Sequence, residues 1–106
     1  LFANSPATDV RVRERLVQPE SLQLLSNWPN PFNAVTEIGF VLPRRCHVDL
    51  TVYNLQGERI ATLASQVCAQ GAHHIPWRAE GYPSGTYFVV LQAEGERRVR
   101  KCLLLR

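Results

Sequence analysis

The chain has a single lysine, Lys101, and no apolar run near the roughly 20 residues that a bilayer-spanning helix requires. No window of 11 residues repeats its apolar positions with a 3.6-residue period, so helices are not expected. The six glycines are spread one to a turn, which excludes a glycine-rich phosphate loop. Cys46, Cys68 and Cys102 have neither C-x-x-C spacing nor a histidine at ligand spacing, so no zinc site is expected. His73 and His74 are adjacent, and on a strand adjacent side chains point to opposite faces, so they cannot share a metal; His47 stands alone. No serine sits in a nucleophile elbow: Ser84 lies in Pro83-Ser84-Gly85, which is turn composition. The carboxylates are scattered singly, without the pairing that acid/base chemistry would need. Neither an enzyme nor a cofactor is expected, nor a small-molecule substrate.

What charge there is has little directional meaning. Twelve basic residues against nine acidic give +3, and the arginines fall in short groups such as Arg44-Arg45 and Arg97-Arg98. A nucleic-acid binder would interleave aromatics with such groups and carry more charge, so nucleic acid is not an expected partner. The length of 106 residues, with 45% hydrophobic and 20% charged content, suits one modest domain. The chain opens on Leu1 without the basic, apolar, then small-residue pattern of a signal peptide. We therefore expect a piece of a larger protein whose export signal lies upstream. In an exported protein two of the three cysteines could pair, and the sequence leaves all three pairings open. Cys102, in an apolar run, reads as a buried free thiol.

Residues 1–20 read as a linker or the tail of a preceding domain, with turn chemistry at Asn4-Ser5-Pro6-Ala7-Thr8 and a break at Gln18-Pro19-Glu20. The domain itself is expected over 21–106, as short strands separated by turn signals every 8–12 residues or so. Leu22, Leu24 and Leu25 open it. Asn27-Trp28-Pro29-Asn30-Pro31-Phe32-Asn33 excludes helix and central strand through its two prolines. We read it as a rigid plug anchored by Trp28 and Phe32, with its asparagines bonding nearby backbone. Alternating strands follow over Thr36–Leu42 and Val48–Tyr53, then Asn54-Leu55-Gln56-Gly57 as a turn closed by a left-handed glycine. A fourth strand is expected from Glu58 to about Leu63, a fifth from Ala72 to Trp77, and a sixth from Thr86 to Ala93. Glu94-Gly95 makes a tight hairpin into a last strand, Glu96 to Leu105. About seven strands and no helix define an all-β, immunoglobulin/fibronectin-like β-sandwich.

Several of these blocks together carry a resemblance. Asn27 to Asn33, the strand ending in Leu42-Pro43, and Val52-Tyr53-Asn54-Leu55-Gln56-Gly57 are followed by Gly71 to Trp77, Pro83-Ser84-Gly85-Thr86-Tyr87-Phe88, and Arg100 to Arg106. In this order the chain resembles the type A C-terminal sorting domain of the bacterial type IX secretion system over about Leu22 to Arg106. The pattern is also similar to the immunoglobulin-like domain of flagellar hook-capping proteins. Trp28 stands where the family usually has tyrosine, Ala34 where proline is frequent, and Cys102 where methionine or leucine is frequent.

The resemblance implies a carrier rather than a catalyst: a module that takes an N-terminal cargo domain across the outer membrane, after transit through the periplasm, to the cell surface or beyond. The implied partners are the outer-membrane secretion machinery and a surface sortase. The implied structural motif comprises Asn27, Pro29, Asn30, Pro31, Phe32, Asn33, Gly57, Trp77, Gly85 and Tyr87. Recognition is placed on the last strand, at Lys101, Leu103, Leu104, Leu105 and Arg106. Three consecutive leucines there supply apolar side chains to both faces, and Lys101 and Arg106 bracket them with positive charge. The alternative is a structural or adhesion module that holds a partner by an exposed sheet edge or loop.

Overall fold

The computed structural model describes residues 21–106 and contains seven strands and no helix among them. They are β1 (Gln23–Leu24), β2 (Val35–Leu42), β3 (Cys46–Tyr53), β4 (Arg59–Cys68), β5 (Gly71–Arg78), β6 (Gly85–Ala93) and β7 (Glu96–Leu104). One sheet has the order β1-β2-β5 and the other β4-β3-β6-β7, and every named strand pair is antiparallel. This is the expected all-β sandwich. The linker expected over 1–20 lies outside the described residues.

Alternation along each strand builds the core. In β3, Val48, Leu50 and Val52 are buried; in β6, Tyr87, Val89, Leu91 and Ala93 are; in β2, Ile38, Phe40 and Leu42. These inner faces meet between the two sheets, as side chains of period two must when one face is covered. In β5 the inward set is His73, Ile75 and Trp77, and His73 stacks on Phe40 with ring centroids 5.2 Å apart. His74, on the opposite face of β5, is exposed. Cys102 is buried at the inner face of β7, where desolvation pushes its thiol up to about 12. A thiol so held is protonated and shielded at neutral pH, which makes Cys102 a packing residue.

The turns follow their local chemistry. Between β3 and β4, Asn54 Oδ1 accepts the amides of Gln56 and Glu58, each at 3.0 Å, and Gly57 takes φ 83°. Between β6 and β7, Glu94 and Gly95 have φ 53° and 77°, the two left-handed residues of a type I′ hairpin whose twist suits the strands.

One strand differs from the sequence reading: β4 continues to Cys68 instead of stopping near Leu63. Its register against β3 slips twice, between the Leu50↔Ala64 and Thr51↔Thr62 pairs and again between Val52↔Ala61 and Tyr53↔Arg59. Each slip leaves one β4 residue extra, Leu63 and Ile60. Bulges of this kind re-aim side chains, so Ile60, Ala61, Leu63 and Ala64 all reach the core although they do not alternate.

Because both sheets and all their turns lie within 21–106, that segment alone is expected to fold. Residues 21–106 should give a β-type circular dichroism spectrum and a single cooperative melt at the midpoint of the 106-residue chain. Loss of cooperativity on removing residues 1–20 would place part of the fold in that segment.

Candidate recognition site

At one end of the sandwich the Asn-Pro segment folds back against the last strand. Phe32 N–H donates to the Leu103 carbonyl at 3.0 Å, and Leu105 N–H donates to the Phe32 carbonyl at 2.9 Å. Phe32 is thus a one-residue parallel bridge to Leu104. Asn30 adds a side-chain bond, its Oδ1 accepting Leu103 N–H at 3.0 Å. Two prolines leave this segment few backbone donors of its own, so side chains and single amides make the connections.

Asn27 and Thr36 hold the start of the segment. Asn27 is buried, and its Nδ2 donates to Thr36 Oγ1 at 2.9 Å and to the Pro29 carbonyl at 3.2 Å. The Thr36 hydroxyl donates to the same carbonyl at 2.8 Å. Trp28 pairs its backbone with Glu37 at 3.0 and 2.8 Å, while its side chain is 76% exposed. The expected second apolar anchor is therefore absent. The bridge to the edge of β2 turns the indole to solvent, and Phe32, 2% exposed, is the anchor. Asn33, Pro29 and Pro31 are exposed and set the path of the chain.

Beneath Phe32 lies an aromatic cluster. Its ring centroid is 5.4 Å from that of Trp77, which in turn meets Tyr87 edge-on at 5.3 Å and Tyr82 at 6.1 Å. Tilted and edge-to-face contacts at these distances are the favoured geometries for aromatic pairs. Both tyrosines keep a polar tie: Tyr87 Oη donates to the Pro83 carbonyl at 2.6 Å, and Tyr82 Oη to that of Ile60 at 3.0 Å. The first resembles the tyrosine corner of immunoglobulin-like sandwiches, a strand-start tyrosine bonded to backbone just upstream. Burial raises the Tyr87 phenol above its ordinary value. Gly85 pairs with Leu104 where β6 begins. Gly57 belongs to the β3–β4 turn, whose neighbours Asn54, Leu55 and Gln56 line a shallow cavity with Tyr82 to Tyr87.

The terminal residues divide by orientation. Leu104 is fully buried among the core residues, and Arg106 is spent on backbone. Its amide donates to Ser84 Oγ at 2.9 Å, Nε to the Tyr82 carbonyl at 2.6 Å and Nη2 to the Ala79 carbonyl at 3.1 Å. Arg106 is exposed like Lys101, but its guanidinium is held in place at the surface by these two carbonyls. Lys101 is exposed, Leu103 is half-buried beside Asn30, Pro31 and Thr86, and Leu105 is 50% exposed. Sequence reasoning missed the cradle formed by Ala79, Tyr82 and Ser84, which works mostly through carbonyls that leave no mark on composition. It also missed Arg100, whose Nε donates to the Leu24 carbonyl at 2.9 Å and ties β7 to the other sheet.

Residues 26–104 match the secretion system C-terminal sorting domain family, and the chain belongs to that family. The resemblance read from the motifs is thereby borne out: the domain is a sorting module for export to the cell surface or beyond. The fold is similar to part of PorZ of Porphyromonas gingivalis, described as an essential bacterial surface component of the type-IX secretion system of that organism. The identity is 15% and the TM-score 0.52, over 76% of this chain and 11% of that one. The chain thus spans about a tenth of that protein's length. Curated proteins give no match.

The two aromatics of the Asn-Pro segment should separate cleanly on substitution. Phe32→Ala is expected to cost roughly 3–5 kcal/mol in chemical denaturation, the range for deleting a buried phenyl ring. Trp28→Ala should stay within about 0.5 kcal/mol, as for an ordinary surface position. Equal losses at the two positions would contradict the anchor assignment.

Proposed function

We propose that this sandwich is the non-catalytic sorting module of a larger exported protein and that the type IX machinery of the outer membrane reads the surface formed by Lys101, Leu103 and Leu105. The cargo, on this reading, lies N-terminal to the module and reaches the periplasm by a separate signal. A surface sortase acts on the module after transit. The family match over 26–104 carries the assignment of role. The division of the last six residues supports the assignment of surface. Leu104 is buried and Arg106, although exposed, has its guanidinium engaged by the Tyr82 and Ala79 carbonyls, while Lys101 and Leu105 remain exposed beside them.

Chemically, such a surface suits a folded receptor better than an unfolded-chain translocase. Its apolar side chains sit at fixed positions on a paired strand, and pre-organisation lowers the entropic cost of each contact. The lone ammonium of Lys101 contributes orientation and association rate more than affinity.

The test is a secreted reporter carrying this chain at its C-terminus, in a host with a type IX system. Combining Lys101→Glu with Leu105→Ser should leave the melting midpoint near that of the parent. Surface display should nevertheless fall roughly tenfold, the consequence of losing about 1.4 kcal/mol of contact, with the reporter retained in the periplasm. Leu104→Ala is the control for stability, with an expected loss of about 2–5 kcal/mol. Normal display of the stable double variant would remove Lys101 and Leu105 from the recognised surface. Normal display of the reporter without this domain would remove the sorting role.

A further inference from the structure

The opposite end of the sandwich holds two cysteines that the sorting role does not use. Cys46 is the first residue of β3 and Cys68 the last of β4, and they stand directly opposite each other in the antiparallel register. Their side chains share a face. Cys46 lies two residues before Val48 on the inward side of β3, and both thiols touch the same core cluster. Cys68 is buried and Cys46 half-buried, and both are free thiols.

Directly opposed residues of an antiparallel pair have Cβ atoms about 4.5–5.5 Å apart. A disulfide needs about 3.5–4.5 Å, with Cα atoms about 4.4–6.8 Å apart. The two ranges touch near 4.5 Å, so a closing movement on the order of 1 Å suffices and the sheet need not be rebuilt. The position also favours the small closing movement, since each cysteine is the strand residue next to a crossover. Pro43 to Arg45 lead from β2 into β3, and Ala69 and Gln70 lead from β4 into β5. Cys102 is no competitor, because it sits on β7, opposite Tyr87 of β6.

We infer that Cys46 and Cys68 form a cross-strand disulfide once the domain leaves a reducing compartment, and that this bond staples the end of the sandwich remote from the Phe32 bridge. Export provides the setting, so the occurrence of the bond in the cell rests on the proposed route, whereas its chemistry does not. The oxidant is a small-molecule or protein disulfide. The Cys46 thiolate, at the more exposed sulfur, attacks one sulfur of the oxidant and releases a thiolate. The Cys68 thiolate then attacks the Cys46 sulfur of the mixed disulfide and releases the second. The two protons lost by the cysteines end on the two released thiolates, and the two electrons reduce the oxidant's S–S bond.

Neighbouring groups agree with this geometry. Burial first, then Glu94, raises the Cys46 thiol above its ordinary value, and the facing Cys68 thiol adds in the same direction. An Arg44–Glu94 ion pair already joins the β2–β3 crossover to the β6–β7 hairpin at this end. The disulfide would tie in the remaining connection, from β4 to β5. It closes a loop of roughly 20 residues, long enough for a cross-link to restrict the unfolded chain substantially.

The three cysteines fall in separate tryptic peptides, Cys46–Arg59, Ile60–Arg78 and Cys102–Arg106, so the pairing is directly readable. The 106-residue chain is incubated with oxidised glutathione, blocked with an alkylating reagent under denaturing conditions, and digested without reduction. The expected product is Cys46–Arg59 linked to Ile60–Arg78, with Cys102 alkylated. In a separate portion of the oxidised chain, left intact and folded, reduction should lower the melting midpoint by roughly 10 °C or more. In Cys46→Ser and Cys68→Ser, neither the linked peptide nor the redox-dependent shift should occur. Alkylation of all three cysteines, a link through Cys102, or equal midpoints of the oxidised and reduced chain would each overturn the inference. Because no secretion host is involved, none of these outcomes bears on the sorting assignment.

Discussion

The pair of backbone hydrogen bonds between Phe32 and the residues flanking Leu104 fixes the position of everything else at this end of the molecule. In isolation each bond contributes only about 1 kcal/mol net, so their importance lies in register. With Phe32 bonded to the Leu103 carbonyl and the Leu105 amide, the Phe32 ring enters the Trp77 cluster and Leu104 enters the core. A one-residue slip would exchange inward and outward side chains along the last strand. Leu103 and Leu105 would then be buried and Leu104 would face solvent. The outward presentation of Lys101, Leu103 and Leu105 is thus a consequence of where a proline-rich segment docks. Arg106, bonded to the Tyr82 and Ala79 carbonyls, closes the same end by a second, independent route.

The two ends of the sandwich are built on different chemistry. The Phe32 end is held by aromatic packing and by single amides reaching across from a segment too proline-rich to join a sheet. The Cys46–Cys68 end is held by strand pairing, an ion pair between Arg44 and Glu94, and two opposed thiols. A module that must stay folded while carrying a cargo benefits from having neither end depend on the other. Between them the strands supply an ordinary hydrophobic core, with Leu50, Leu91, Phe40 and Leu42 fully buried.

Much of this was legible in the sequence because most strands alternate cleanly and most turns carry their own residues. Val48 to Tyr53 and Thr86 to Ala93 announce themselves by period two, and Asn54 to Gly57 and Glu94-Gly95 by turn chemistry. The second half of β4 was not legible, since Ser65, Gln66 and Val67 are all exposed between buried Ala64 and Cys68 and show no alternation, while the two bulges in its first half put Ile60, Ala61 and Leu63 all at the core. Trp28 and Phe32 look alike in a string of letters. Only the bridge to Glu37 on one side and to Leu104 on the other turns the first outward and the second inward. The roles of Arg100 and Arg106 were equally hidden, because both act on main-chain carbonyls of residues more than 20 positions away.

The central claim is that the Asn-Pro segment and the end of the last strand are one folded unit. Amide hydrogen exchange of the 106-residue chain tests it at two atoms. If the account holds, the Phe32 and Leu105 amides exchange as slowly as those of the central strand β6, through global unfolding. Exchange of those two amides at the rate of exposed loop amides, with β6 still protected, would mean that the terminus opens independently and that the Phe32 bridge does not organise the proposed recognition surface.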